Sequence, residues 1–293
     1  MSRQRKFKQI DVFSNHPCQG NPLAVILEAD GLTDEQLQSI ARWTNLSETT
    51  FVLMPDDPAA DYRVRIFTPS SEIPFAGHPT LGTAYALLEA GLKPRTPGQL
   101  IQQCGVGLVP ISIHHDGKLA FRAPDAKLIT IDPAHSLLID HALGSHARDR
   151  SFPPINVSMG IRWLTVRLHS AQACLDVRPD IRLLKQLLDH CQTDGIAIYG
   201  PHAAPAIADY EVRTFFMLDD TLIEDPVTGS ANACIARVIH QYPSQHPTAR
   251  QHGYRVRQGT MLHRNGQVHV TWIDDQPWIG GYSTTLIDGV IKL

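Results

Sequence analysis

Two short runs carry the residue types from which a proton-transfer site is built. Glu72-Ile73-Pro74-Phe75-Ala76-Gly77-His78-Pro79-Thr80 and Glu224-Asp225-Pro226-Val227-Thr228-Gly229-Ser230-Ala231-Asn232 share the frame Glu-x-Pro-x-x-Gly, offset by 152 positions. Glycine lets backbone approach a ligand closely, and each run leads into a helical pattern. The open N–H groups at a helix start, with the positive end of its dipole, suit a carboxylate or an enolate oxygen. Gly77 and Gly229 are therefore candidate binding positions. His78 can add a hydrogen bond or a proton, Asp225 a carboxylate, and Ser230 a hydroxyl in what resembles an N-cap. Either run alone also reads as a plain capping turn; their recurrence favours a shared site.

A third run, Asn45-Leu46-Ser47-Glu48-Thr49-Thr50-Phe51, places Glu48 in an apolar, β-branched setting. Partial burial there would raise its pKa, so that it could both take and give a proton near neutrality. On a surface beside a strand it would do neither. Asn21, in Gln19-Gly20-Asn21-Pro22, either hydrogen-bonds a substrate or shapes a turn, and the residues alone favour the turn. Other chemistries are thin. Ser230 does not sit in a G-x-S-x-G elbow. The five cysteines are scattered without a C-x-x-C pair, which argues against a disulfide framework or zinc knuckle. Cys104 has no counterpart in the second half and reads as incidental, and Cys234 reads as a core thiol. The histidines show no metal-ligand spacing, so no metal site is expected.

These candidates sit inside a longer repeat. Asp61-Tyr62-x-Val64-Arg65-x-Phe67 returns as Asp209-Tyr210-x-Val212-Arg213-x-Phe215, offset by 148 positions. One duplication, not a short-period array, gives two similar domains with a cleft between them, where the site is expected. Strands are predicted over 7–13, 22–27, 48–53, 62–67, 109–114, 119–122, 163–168, 196–199, 210–216, 254–258 and 268–273, with a last one after Gly280-Gly281. Helices are predicted after a Thr33 N-cap, over 79–90, over 181–190 and over 230–240. The stretch 96–108, rich in Gly, Pro and Gln, reads as irregular, and 132–154 as the crossing between domains. The expected division is 1–115 with 279–293, and 116–278. No glycine-rich turn follows the first strand, so a nucleotide-binding βαβ fold fits poorly.

A chain of 293 residues suits two domains better than one core. Its formal net charge of −3, without a basic run, disfavours nucleic acid as a partner. The basic start Met1-Ser2-Arg3-Gln4-Arg5-Lys6 is not followed by an apolar core, and no stretch is apolar enough for a membrane span. A cytoplasmic protein acting on a small molecule is expected.

Together the runs resemble the phenazine-biosynthesis PhzF-like family. The matching pieces are Asp11-Val12-Phe13 through Gly20-Asn21-Pro22-Leu23-Ala24-Val25, Ser47-Glu48-Thr49-Thr50-Phe51, Phe67-Thr68-Pro69, Glu72 through Thr80, and Glu224 through Ala231, in the family's order. The resemblance implies the α+β, diaminopimelate-epimerase-like fold: two pseudo-symmetric domains, each a curved sheet or barrel around a central helix. It also implies a homodimer and cofactor-independent proton transfer. The family's acid/base glutamate falls on Glu48, its histidine on His78, and its acidic and hydroxyl residues on Asp225 and Ser230. Related epimerases hold a cysteine before each glycine, where this chain has Ala76 and Thr228. A one-carboxylate isomerase acting on a small carboxylated, cyclic or amino-acid-like metabolite is the expectation. A silent binding module on the same fold, or an amino-acid epimerase or dehydratase, are the alternatives. Two segments depart from the family's pattern, Arg213-Thr214-Phe215-Phe216-Met217-Leu218 and Gln258-Gly259-Thr260-Met261-Leu262-His263-Arg264-Asn265.

Overall fold

The computed structural model describes residues 4–218 and 220–293, so Met1-Ser2-Arg3 of the basic start lies outside the described residues. The chain divides into two compact units. One runs to Arg122 and takes back Gly280–Leu293, and the other is Ala123–Ile279.

The first unit contains β1 (Gln4–Val12), β2 (Asn21–Ile26), α1 (Asp34–Thr44), β3 (Glu48–Leu53), β4 (Tyr62–Phe67), β5 (Glu72–Ile73), α2 (Gly77–Glu89), β6 (Gln99–Cys104), β7 (Gly107–Ile113) and β8 (Leu119–Arg122). β1 pairs antiparallel with β2 and with the last strand, Ser283–Lys292. β2–β3 is parallel and β3–β4 antiparallel. One edge of β4 then serves two partners, β5 antiparallel at Ile66 and Phe67 and β6 parallel at Tyr62 and Arg63.

The second unit contains β9 (Lys127–Thr130), α3 (Ser136–Leu143), β10 (Ile155–Ser158), β11 (Arg162–Arg167), α4 (Ala171–Asp176), α5 (Ile181–Cys191), β12 (Gly195–Pro201), β13 (Tyr210–Leu218), β14 (Thr221–Glu224), α6 (Gly229–Gln241), α7 (Pro247–His252), β15 (Tyr254–Gln258) and β16 (Gly266–Ile273). Its pairings repeat the first unit's order: β10–β11 antiparallel, β11–β12 parallel, β12–β13 antiparallel, then β13 shared between antiparallel β14 and parallel β15. The duplication read in the sequence is a duplication of topology.

The repeated residues hold this pattern together. Asp61 accepts the Ile101 N–H at 2.7 Å and Asp209 the Arg255 N–H at 2.7 Å, each closing its strand onto the parallel neighbour. Arg65 grips Glu72 through two bonds of 2.8 and 2.6 Å, and Arg213 grips Glu224 through two of 2.9 Å. Each clasp ties a long strand, β4 or β13, to the short strand before the glycine turn. Each guanidinium also lies over an aromatic ring, Arg65 over Phe67 at 5.1 Å and Arg213 over Phe215 at 4.8 Å.

α2 and α6 are apolar on most sides, and most of their residues are buried, as expected for central helices. Gly82 shows how close the sheet comes: a Cβ there would lie 2.6 Å from Leu23 and 2.7 Å from Val12. α1 opens with a capping box in which Thr33 and Gln36 satisfy each other's backbone N–H, and it buries Leu37, Ile40 and Ala41.

Two expectations need correction. The stretch 96–108 holds β6 and the start of β7, because Leu100 and Gln102 point inward while the half-buried Gln99 and Gln103 mask the alternation. The stretch 132–154 is no crossing. It contains α3, whose Ile139, Ala142 and Leu143 pack into the second unit's core with Leu184, Leu187 and Leu188 of α5. No helix among the described residues is long and apolar enough to cross a membrane.

Candidate active site

In the first unit a tight loop prepares the site. After β1, Phe13 takes a left-handed conformation, and the Asp11 carboxylate accepts the N–H groups of Gln19 (2.9 Å) and Gly20 (3.1 Å). The returning chain crosses β1 so closely that a Cβ on Gly20 would lie 2.0 Å from the Val12 carbonyl oxygen. Only glycine fits, and the loop delivers Asn21 to the first position of β2.

Asn21 is fully buried and is not a turn-former. Its Oδ1 accepts from Ser47 Oγ at 3.4 Å, and its Nδ2 lies 3.4 Å from His78 Nδ1. It therefore links the start of β2, the loop before β3 and the start of α2. Glu48 opens β3, opposite Leu23 of β2. Its side chain is 17% exposed, and Oε2 lies 3.3 Å from His78 Nε2. The structure thus brings Asn21, Glu48 and His78 together from three separate segments. Burial pushes the His78 imidazole down to about 3, opposed only in part by the Pro22 carbonyl that accepts from it. The ring is neutral at physiological pH.

In the second unit Asp225 follows β14, and its Oδ2 accepts from Thr228 Oγ1 at 2.5 Å. Thr228, not Ser230, holds the N-cap position of α6, and its side chain makes no capping bond. Ser230 lies one step inside the helix, as His78 does in α2. Its Oγ accepts from the Trp163 indole N–H at 3.0 Å. Trp163 is seated on Gly195, where a Cβ would meet the ring at 2.4 Å. With Ala76 and Thr228 both lacking a side-chain cap, the opening N–H groups of both helices, Gly77 and Gly229 included, have no partner within their own helix.

The sequence reading missed Ser47, Trp163, Thr214, Thr228 and Gln258. The signal for Gln258 was present in register. β13 sets Glu211 opposite Arg257, and β4 sets the matching Arg63 opposite Gln103, so the residues that follow, Gln258 and Cys104, correspond and Cys104 does have a counterpart. The next residues agree: a Cβ on Gly105 would lie 2.7 Å from Pro74 Cα, and one on Gly259 2.8 Å from the Pro226 carbonyl oxygen. Cys234 is fully buried, as a core thiol should be.

A sequence model of the family described as phenazine biosynthesis-like protein matches residues 10–289. The chain is 35% identical over 297 residues to antisense-enhancing sequence 1 of Schizosaccharomyces pombe, covering 98% of each protein. It is 35% identical over 236 residues to the trans-2,3-dihydro-3-hydroxyanthranilate isomerase of Pseudomonas aeruginosa, covering 79% of this chain and 78% of that one. Among solved structures, a phenazine biosynthesis protein of the PhzF family from Bacillus anthracis matches with a TM-score of 0.81 at 26% identity, over 99% of this chain and all of that one.

Proposed function

The chain belongs to the phenazine biosynthesis-like family and is an isomerase of that kind; from that premise we propose that Glu48 moves a proton within a small carboxylated, cyclic or amino-acid-like metabolite. The observation that carries this reading is the contact between Glu48 and a neutral His78. Glu48 takes a proton from one carbon of the substrate and returns it to another, with no net change in composition. The His78 Nε2 position suits both states of the carboxyl group. A neutral imidazole can donate to the carboxylate or accept from the carboxylic acid, so Glu48 can change protonation without stranding a fixed charge beside it.

The N–H groups at the starts of α2 and α6 are assigned to the substrate's carboxylate or to charge that develops during transfer. Asp225 and Ser230 are assigned to its polar substituents. Racemisation by two thiols is not the favoured chemistry, because Ala76 and Thr228 hold the positions where the related epimerases carry cysteines.

The test is proton NMR in deuterated buffer with trans-2,3-dihydro-3-hydroxyanthranilate and a panel of small cyclic and amino acids. Conversion or exchange by the parent that disappears in Glu48→Gln, with the fold retained, is expected. Turnover that survives in Glu48→Gln would refute the assignment.

A further inference from the structure

The two copies of the repeat differ where one has Cys104 and the other Gln258, and the difference bears on Asp225. In the first unit, where β4 parts from β5 and β6, a slot of about 170 Å³ remains, lined by Val64, Ile73, Cys104 and Gly105 among others. In the second unit Gln258 takes the place of Cys104 and is 0% exposed.

Its hydrogen bonds fix their own directions. The Thr228 carbonyl accepts from the Asn232 side chain at 2.9 Å, so that atom of Asn232 is the amide nitrogen. The same nitrogen donates to Gln258 Oε1 at 3.0 Å, and the Thr228 backbone N–H donates to it at 3.1 Å. Two donors converge on this atom, so it is the oxygen, and the NH₂ group must face the other way. There it lies 2.9 Å from Thr228 Oγ1, 3.1 Å from Thr214 Oγ1 and 3.1 Å from the Asp225 carbonyl oxygen, all acceptors for it. A threonine hydroxyl has one hydrogen. Thr214 Oγ1 also lies 2.7 Å from Thr228 Oγ1, but an ionised carboxylate only accepts, so the Thr228 hydrogen is directed to Asp225 Oδ2, 2.5 Å away, and Thr228 Oγ1 accepts from Gln258 and from the Thr214 hydroxyl.

We propose that Gln258 is a positioning residue that acts through Thr228 on Asp225, holding the carboxylate in place as a hydrogen-bond acceptor. Its role in turnover rests on the function proposed above, in which Asp225 orients a polar substituent of the substrate for the proton transfer. The positioning itself does not.

Gln258→Glu tests this, because it keeps an acceptor for the Thr228 N–H and the Asn232 amide but removes the NH₂ donor. The introduced carboxylate then draws the Thr228 hydrogen away from Asp225. A crystal structure of the variant should show the 2.5 Å contact between Thr228 and Asp225 opened beyond hydrogen-bond range, with α6 in place. With trans-2,3-dihydro-3-hydroxyanthranilate as probe, kcat should fall roughly tenfold with KM changed much less, as for a lost charge-assisted hydrogen bond. Thr228→Val removes the link itself and should mimic the loss, and adding Gln258→Glu to it should change kcat no further. An unchanged Thr228–Asp225 contact in Gln258→Glu, or independent losses in the double variant, would overturn the proposal. If the parent does not turn over the probe, the functional reading fails on its own, and the crystal structure still decides the positioning.

Discussion

His78 Nε2 lies 3.3 Å from Glu48 Oε2, and burial keeps the ring uncharged, its pKa down at about 3. The contact is therefore a polar one between a neutral imidazole and a carboxyl group, not an ion pair. An imidazolium in that place would favour the carboxylate and weaken it as a base. Desolvation of the histidine thus preserves the basicity that the proposed proton transfer needs, and Asn21, joined to both the Ser47 and His78 side chains, fixes the geometry.

Burying a neutral histidine makes the protein sensitive to acid. Its folded pKa of about 3 lies below the ordinary 6.5. Between those values the unfolded chain binds a proton that the folded chain refuses, so stability falls as pH drops through that window. His246, packed at 5.1 Å from the Phe152 ring, is pushed down to about 4 by burial and then by Arg167, and acts with the same sign. Each contributes a loss of about 2 kcal/mol at most between about pH 7 and about pH 5, from roughly 1.4 kcal/mol per pH unit below the unfolded value. Urea unfolding across this range should show the decline, and His78→Gln should flatten part of it. A slope untouched by that substitution would mean that His78 takes up its proton as readily in the folded protein as in the unfolded chain.

The two arginine clasps should differ in cost although their sequences match. The Arg213 and Glu224 side chains are 5% and 14% exposed, against 21% and 42% for Arg65 and Glu72. Arg213 also donates to the carbonyls of Cys174 and Val177 at the end of α4, at 2.9 and 3.0 Å. Removing one partner of a buried pair strands the other, at a cost of about 3–5 kcal/mol, whereas an exposed pair contributes about 1 kcal/mol or less. Arg213→Ala should therefore destabilise by about 3 kcal/mol or more and Arg65→Ala by about 1–2 kcal/mol. Chemical denaturation of both variants checks the order, and equal losses would show that burial is not what separates them.

The repeat made the fold legible because its residues are the ones that join strands: Asp61 and Asp209 close parallel pairs, and the Arg–Glu clasps set the short strands. His78 and Asp225 stood out in the sequence because each lies in a glycine turn of the repeat, and Glu48 because of its apolar, β-branched setting. The supporting residues were not. Gln258 and Thr214 become partners of Thr228 only through strand register, which a linear reading does not give, and Trp163 is distant in sequence from Ser230. Ser230 was misplaced by two residues because Ser suits an N-cap so well, yet Thr228 holds that position. α3 was missed because the prolines, histidines and aspartates around it hide the spacing of Ile139, Ala142 and Leu143.

Trp163 yields the last prediction. Its indole N–H occupies an acceptor position on Ser230 Oγ at 3.0 Å, so the serine hydrogen is directed elsewhere, and the ring is 97% buried against Gly195. Trp163→Phe keeps a ring over Gly195 but removes the donor. If Ser230 holds a substituent of the substrate, its hydroxyl becomes free to rotate and KM should rise about three- to tenfold, a hydrogen bond's worth of about 1 kcal/mol. Stability should fall by about 1–2 kcal/mol from the smaller ring. Ser230→Ala should raise KM similarly, and in that background Trp163→Phe should add little, because the two act as one unit. Steady-state kinetics on the four proteins decide it. If Trp163→Phe lowers stability but leaves KM unchanged, the tryptophan serves only to fill the space above Gly195.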